Sequence, residues 1–129
     1  MATKERRGPY ICGIDAAMDV VTGKWKSLIL WELEAHATRR FGELRRGLPG
    51  VSEKMLSQTL QTLEADGMVR REVITTIPPR VEYSLTALGT KVAQQVRQLA
   101  DLLESAATEI EQARAAYAAR AGVTASTSP

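Results

Sequence analysis

At 129 residues, 44% hydrophobic and 25% charged, the chain has the composition of one globular domain, with a real core and no room for a second. No apolar run approaches the length of a membrane span, and the first nine residues lack a signal-peptide core, so the expected compartment is the cytoplasm. A single cysteine, Cys12, excludes an internal disulfide framework, and the formal charge of +2 is too small to argue for nucleic acid by itself.

Residues 1–9 are polar and basic, closed by Gly8-Pro9, and residues 1–11 are expected to form a flexible arm. A helix is predicted from Cys12 to about Thr22, with Ile14, Met18 and Val21 inward, broken by Gly23. The next helix, Lys24 to Ala35, carries the stripe Trp25, Leu28, Ile29 and Leu33, thickened by Leu30 and Trp31. After a polar connection, His36 to Arg40, the residues Phe41, Leu44 and Leu48 mark a short helix over Arg40 to Gly47, ended by Leu48-Pro49-Gly50.

The stretch from Val51 to Gly67 follows. Ser52 is placed to cap a helix by accepting a bond from a free backbone N–H, and Gly67 ends it. Leu56, Leu60 and Leu63 make one apolar stripe, while Lys54, Gln58 and Gln61 project from the opposite side, flanked by Ser57 and Thr62. Such a face, with amides, hydroxyls, one lysine and no large apolar group, suits base edges in a DNA major groove. The same pattern also describes an ordinary solvated helix face. Its neighbours favour the first reading, because a short helix, a tight glycine-containing turn and a polar-faced helix are helix-turn-helix order.

Beyond Gly67 the period changes from 3.6 to 2. Met68 to Thr76 alternates and is rich in β-branched residues, Ile77-Pro78-Pro79-Arg80 cannot continue a ladder, and Val81 to Leu85 is a second short strand. The predicted hairpin, basic at its base and tip, is a wing behind the helix-turn-helix. Thr86 then caps a last helix with no glycine or proline after Gly89 as far as Ala121. Val92, Val96, Leu99, Leu103, Ala106, Ile110, Ala113 and Tyr117 step along it by 4 and 3 in alternation, which is a heptad seam. A second copy of the chain is the expected cover for that seam, with Val96, Leu99, Leu103 and Ile110 in the dimer interface. The alternative is a solitary helix fraying beyond about Ile110. The Thr/Ser-rich residues 122–129 are expected to be a flexible tail.

These segments resemble the HxlR family of bacterial winged-helix transcriptional regulators over about residues 10–95. The resemblance rests on Cys12 before the first helix, Gly23-Lys24-Trp25, Arg40-Phe41-Gly42-Glu43-Leu44, Leu48-Pro49-Gly50-Val51-Ser52, Leu63-Glu64-Ala65-Asp66-Gly67, and Pro79 to Thr86, in the family's order and spacing. It implies a homodimer that binds DNA through the 52–66 helix and the 68–85 wing and, in some members, a thiol sensor at the position of Cys12. The continuous alanine-rich 86–121 helix is longer than the family's usual ending.

The predicted fold is therefore mainly α with a small β-hairpin (α+β): a winged helix-turn-helix domain over 12–90 and a helical dimerisation extension over 91–121. Ser52, Lys54, Ser57, Gln58 and Gln61 are the candidate base readers. Arg39, Arg40, Arg70, Arg71 and Arg80 are the candidate phosphate and wing contacts, Arg40 and Arg80 foremost, and they would position the helix without reading sequence. Arg45 and Arg46 have structural partners within reach in Glu43 or Glu64. Ten Lys/Arg against seven Asp/Glu lie between Lys24 and Arg80, and four against five beyond, so the basic surplus surrounds the capped helix.

Cys12 is the one candidate reactive group. A thiolate at a helix start is stabilised by free N–H groups, with Arg6 and Arg7 near in sequence, but a small buried hydrophobe is an equally ordinary cysteine role. The single histidine, His36, has no second His or Cys for a metal site, and no phosphate loop, nucleophile elbow or other catalytic constellation is visible, so neither an enzyme nor a cofactor is expected. The expected function is a homodimeric, sequence-specific DNA-binding regulator, a repressor, reading an inverted-repeat operator in double-stranded DNA and modulated through Cys12. The alternative is a winged-helix module whose polar helix binds another protein.

Overall fold

The computed structural model describes residues 13–122, so Cys12 and both expected tails, apart from Gly122, lie outside the described residues. The chain forms two compact units divided between Val96 and Arg97. The elements run α1 (Gly13–Met18), α2 (Lys24–Ala35), β1 (Arg39–Arg40), α3 (Phe41–Gly47), α4 (Glu53–Ala65), β2 (Val69–Thr76), β3 (Pro79–Leu85), α5 (Ala87–Ser105) and α6 (Ala107–Arg120). No helix among the described residues is long and apolar enough to cross a membrane.

The core of the first unit is built from the stripes that the periodicity marks. Ile29, Leu30 and Leu33 of α2 meet Leu44 of α3 and Leu56, Leu60 and Leu63 of α4, closed by Leu48, Val51, Met68, Val69 and Ala93. Trp25, Leu28, Phe41, Tyr83 and Leu85 pack on its edge, half-buried. Glu32, which no apolar pattern selects, is also buried. Its carboxylate lies 3.8 Å from Arg39 Nε and 3.6 Å from His36 Nε2, and it sits against Gly47, where a Cβ would come within 2.6 Å of Glu32 Oε2. His36, which has no second His or Cys for a metal site, thus stands beside a buried carboxylate.

The sheet is three-stranded and antiparallel, in the order β1-β3-β2. Its β1 strand replaces the end of the expected polar connection: Arg39 pairs with Tyr83 and Arg40 with Glu82. Two residues are too few for alternation to register, and only pairing with a distant strand makes them β. The wing also differs at its tip, since β3 begins at Pro79 rather than Val81 and Pro79 faces Thr76. A proline is tolerated there because the first residue of a strand need not donate to the ladder. Ile74 is bypassed between the Val73 and Thr75 pairings, and the Thr75 hydroxyl donates to the Pro78 carbonyl at 2.7 Å.

The expected first helix is shorter than read. It ends at Met18, where bonds from Val20 N–H to the Ala17 carbonyl and from Val21 N–H to the Met18 carbonyl tighten the chain into i→i−3 turns. Val20 and Val21 pack on the core, but Ile14 and Met18 do not turn inward: they are 66% and 46% exposed. Periodicity identified an apolar stripe on α1; it carried no information about what covers it.

At the other end of the unit, Thr86 caps α5 as predicted, accepting from Gly89 N–H at 2.9 Å while its hydroxyl donates to the Gly67 carbonyl at 2.6 Å. Gly89 is buried against the chain that joins α4 to β2. A Cβ there would fall 1.9 Å from the Met68 carbonyl oxygen, so only glycine lets the helix approach so closely.

The second unit holds the remainder of α5 and α6. The expected unbroken helix is interrupted at Ala106 (φ −94, ψ 7). The Ser105 hydroxyl donates to the Leu102 carbonyl at 2.8 Å, and a side chain competing for a helix carbonyl locally loosens the ladder. Of the predicted seam, Leu99 and Leu103 are about half exposed, as is Leu102 beside them, while Val96 and Ile110 are half-buried.

Candidate nucleic-acid interface

The α4 helix owes its place to both of its ends. The Ser52 hydroxyl accepts from Met55 N–H at 3.0 Å, satisfying one of the first-turn donors. At the other end Gly67 adopts φ 78, its N–H bonds to the Glu64 carbonyl, and Met68 N–H bonds to the Leu63 carbonyl at 2.9 Å. These paired bonds, with Met68 and Leu63 both buried, are the Schellman closure that glycine at this position permits. Both ends being satisfied, the helix presents a defined face.

That face is the predicted one at its centre and different at its margins. Lys54, Gln58 and Gln61 are exposed, opposite the buried Leu56, Leu60 and Leu63. Ser57 is only half-buried at one margin, and the Ser52 hydroxyl is occupied by its cap. At the other margin the Thr62 hydroxyl donates to the Gln58 carbonyl at 3.1 Å, and Thr59 is buried with its hydroxyl on the Met55 carbonyl at 2.7 Å. Met55, 42% exposed, places a large apolar side chain beside a face expected to carry none.

The candidate phosphate contacts separate into paired and outward-facing groups. Arg80 holds Glu82 with two bonds, Nη2 at 3.0 Å and Nε at 3.2 Å to the same carboxylate oxygen. Arg39 lies within 3.8 Å of both Glu32 and Glu43, and its buried Nε has no hydrogen-bond partner at that spacing. Arg45 bonds Glu53 at 2.9 Å, not Glu43 or Glu64. Arg40, Arg70 and Arg71 are exposed. Successive strand residues point to opposite faces, so Arg70 and Arg71 flank the sheet and do not share one surface. Glu43 accepts from Arg40 N–H at 2.8 Å, and that bond, together with the charges of Arg39, Arg40 and Arg46, holds its carboxyl below the ordinary carboxylate value.

A cleft of about 310 Å³ opens between the start of α2 and the Met55 margin of α4. Lys24, Trp25 and Lys26 form one wall, and Met55, Gln58 and Thr62 are part of the other. The Lys24 ammonium stands 4.7 Å from the Trp25 ring centroid, and Lys26 Nζ donates to the Asp19 carbonyl at 2.8 Å. Sequence reasoning assigned Trp25 to the core and gave neither lysine a role. The available signal was their alternation with Trp25 directly behind the helix-breaking Gly23.

A short helix, a tight turn and a capped helix with a polar outer face, backed by a basic β-hairpin, define a winged helix-turn-helix transcriptional regulator. The HxlR-like helix-turn-helix family model matches residues 20–111, and the chain belongs to that family. It is 52% identical over 84 residues to the uncharacterized HTH-type transcriptional regulator YtfH of Escherichia coli strain K12, across 65% of this chain and 66% of that protein. Among solved structures, ytfH from Salmonella typhimurium superposes with a TM-score of 0.72 at 44% identity, covering 81% of this chain and 92% of that one. The redox regulator HypR in its reduced form superposes with a TM-score of 0.73 at 38% identity, covering 78% and 99%.

Proposed function

We propose that this regulator works in the cytoplasm as a homodimer, reads an inverted-repeat operator with the Lys54, Gln58 and Gln61 face of α4, and represses by occupying that operator. The observation that carries the reading is that face: polar and exposed on a helix whose opposite side is wholly buried and whose two ends are closed. Amides there match the donor–acceptor pattern of adenine, and lysine matches guanine. Arg40 and one arginine of the Arg70/Arg71 pair supply phosphate contacts. Arg80 joins them by exchanging Glu82 for a phosphate, which an exposed ion pair worth at most about 1 kcal/mol permits. Arg39, drawn to two carboxylates, positions the junction before α3.

Dimerisation is supported by apolar surface left uncovered in the single chain: Ile14 and Met18 in the first unit, Leu99 and Leu103 in the second. Redox control through Cys12 is supported by the likeness to HypR, a redox regulator, and by the resemblance over the residues around Cys12. With one cysteine, the switch runs through an intersubunit disulfide, a mixed disulfide with a small thiol, or alkylation.

The test is a titration of a duplex chosen by binding-site selection against its scrambled counterpart. Gln58→Ala and Gln61→Ala will each relax preference at one or two positions, costing about 1–3 kcal/mol on the selected duplex. If both variants bind each duplex as the parent does, α4 reads no bases. An affinity that ignores salt would favour the other reading, a polar helix docking on protein.

A further inference from the structure

We propose that the cleft between the start of α2 and the recognition helix α4 holds one phosphate of the DNA backbone, bound by Lys24 and Lys26, and so fixes how Gln58 meets the bases. The inference rests on the DNA reading above and deepens it. Lys24 and Lys26 bring two cations to the lining and no carboxylate belongs to it, so the cleft suits an anion. Both ammonium groups are already steered. Lys24 stands 4.7 Å from the Trp25 ring centroid, and Lys26 spends one of its three N–H donors on the Asp19 carbonyl.

Two observations favour a phosphate within a duplex over a free organic acid. The cleft shares Gln58 with the base-reading face, so a backbone strand running along the Met55 margin of that face would lie over it. A small ligand needs a pocket that buries most of its surface, whereas this cleft is open, and its Trp25 and Met55 flanks match the carbons of a deoxyribose running alongside. Base contacts specify and phosphate contacts position. A phosphate anchored one helix turn or less from Gln58 would hold its amide at a fixed depth in the groove.

The experiment uses the full chain and the selected duplex, prepared as a panel with a single neutral methylphosphonate linkage at each backbone position. With the parent, one linkage in each half-site will weaken binding through loss of this contact. In Lys24→Gln/Lys26→Gln that linkage will cost nothing further, while every other linkage costs what it did. The salt slope of the double variant will fall by about one unit per half-site, equally on selected and scrambled duplexes. Lys24→Arg/Lys26→Arg will keep the parent's pattern.

Because Lys26→Gln also removes the bond to Asp19, the exposed Lys24→Gln alone serves as a second variant, with a partial loss expected at the same linkage. A Gln variant that keeps the parent's linkage pattern and salt slope would overturn the proposal. So would a saturable change in tryptophan fluorescence on adding inorganic phosphate at constant ionic strength, if the linkage pattern stays unchanged by the substitutions, since the cleft would then take a free anion. A parent that binds no duplex sinks the DNA reading itself, and this site with it.

Discussion

Replacing Gly89 with alanine separates two effects of opposite sign. Helix propensity alone favours alanine over glycine by up to about 1 kcal/mol, so on an open helix the change would stabilise. At Gly89 the new methyl would lie 1.9 Å from the Met68 carbonyl oxygen, 2.8 Å from the carbonyl carbon and 3.2 Å from the Cα. To reach even a tight contact, α5 must retreat from the α4–β2 connection by more than an ångström. That retreat strains the Thr86 hydroxyl bond to Gly67 and unpacks Ala93 from the core. Overpacking of this kind costs about 1–3 kcal/mol, with backbone as the obstacle placing it at the upper end. The expected net result is a loss of about 2 kcal/mol. In urea, with a slope of about 1–3 kcal/mol per molar, the midpoint will fall by about 1 M at fixed protein concentration. A midpoint that stays or rises would show that α5 does not bear on the Met68 backbone and would refute the reasoning.

Leu99→Glu with Leu103→Glu places carboxylates on the half-exposed leucines of α5 and will give monomers in sedimentation with the helix content retained; a double variant that stays dimeric removes this seam from the interface. Oxidant or an electrophile will change DNA affinity in the native protein and leave Cys12→Ser unmoved, and equal responses would exclude Cys12 as the sensor. The fold depresses the Glu43 carboxyl, so the unfolded chain binds that proton more readily; the resulting stability is complete above the ordinary carboxylate range near 4 and is lost as pH falls through the folded value. Glu43→Gln will therefore flatten the acid limb of the stability–pH curve below about pH 5, and urea midpoints measured down that limb will reveal it if the slopes differ.

The parts of the fold legible in the sequence were those set by neighbours along the chain. The stripe of α4, its Ser52 cap, the Gly67 ending and the extent of β2 are all local, and each lies within a residue or so of its predicted bounds. What escaped depends on partners distant in sequence. The β1 strand is made by Tyr83 and Glu82, more than forty residues away, and Glu32 is buried because Arg39, His36 and Gly47 converge on it. At the candidate interface, the exposure of the centre of the α4 face was readable from angle alone. Its margins were not: the exposure of Met55 and the cleft beside it depend on where the start of α2 comes to rest. The pairing of Arg80 with Glu82 crosses only two residues and follows from the strand, which puts alternate side chains on one face.

The smallest strand has the longest reach. By pairing with β3, Arg39 and Arg40 splice the first residues before α3 into the same ladder that carries the wing. Helix-turn-helix and hairpin are therefore braced at two points, through β1 and through the closure at Met68, and form a caliper with one opening. On the proposed DNA reading, such an instrument would measure the duplex as well as read it. An extra base pair between the segment under α4 and the segment under the wing would turn one against the other by roughly a tenth of a helical turn. A hinged wing could follow that rotation; a wing laced to the residues before α3 would have to let go.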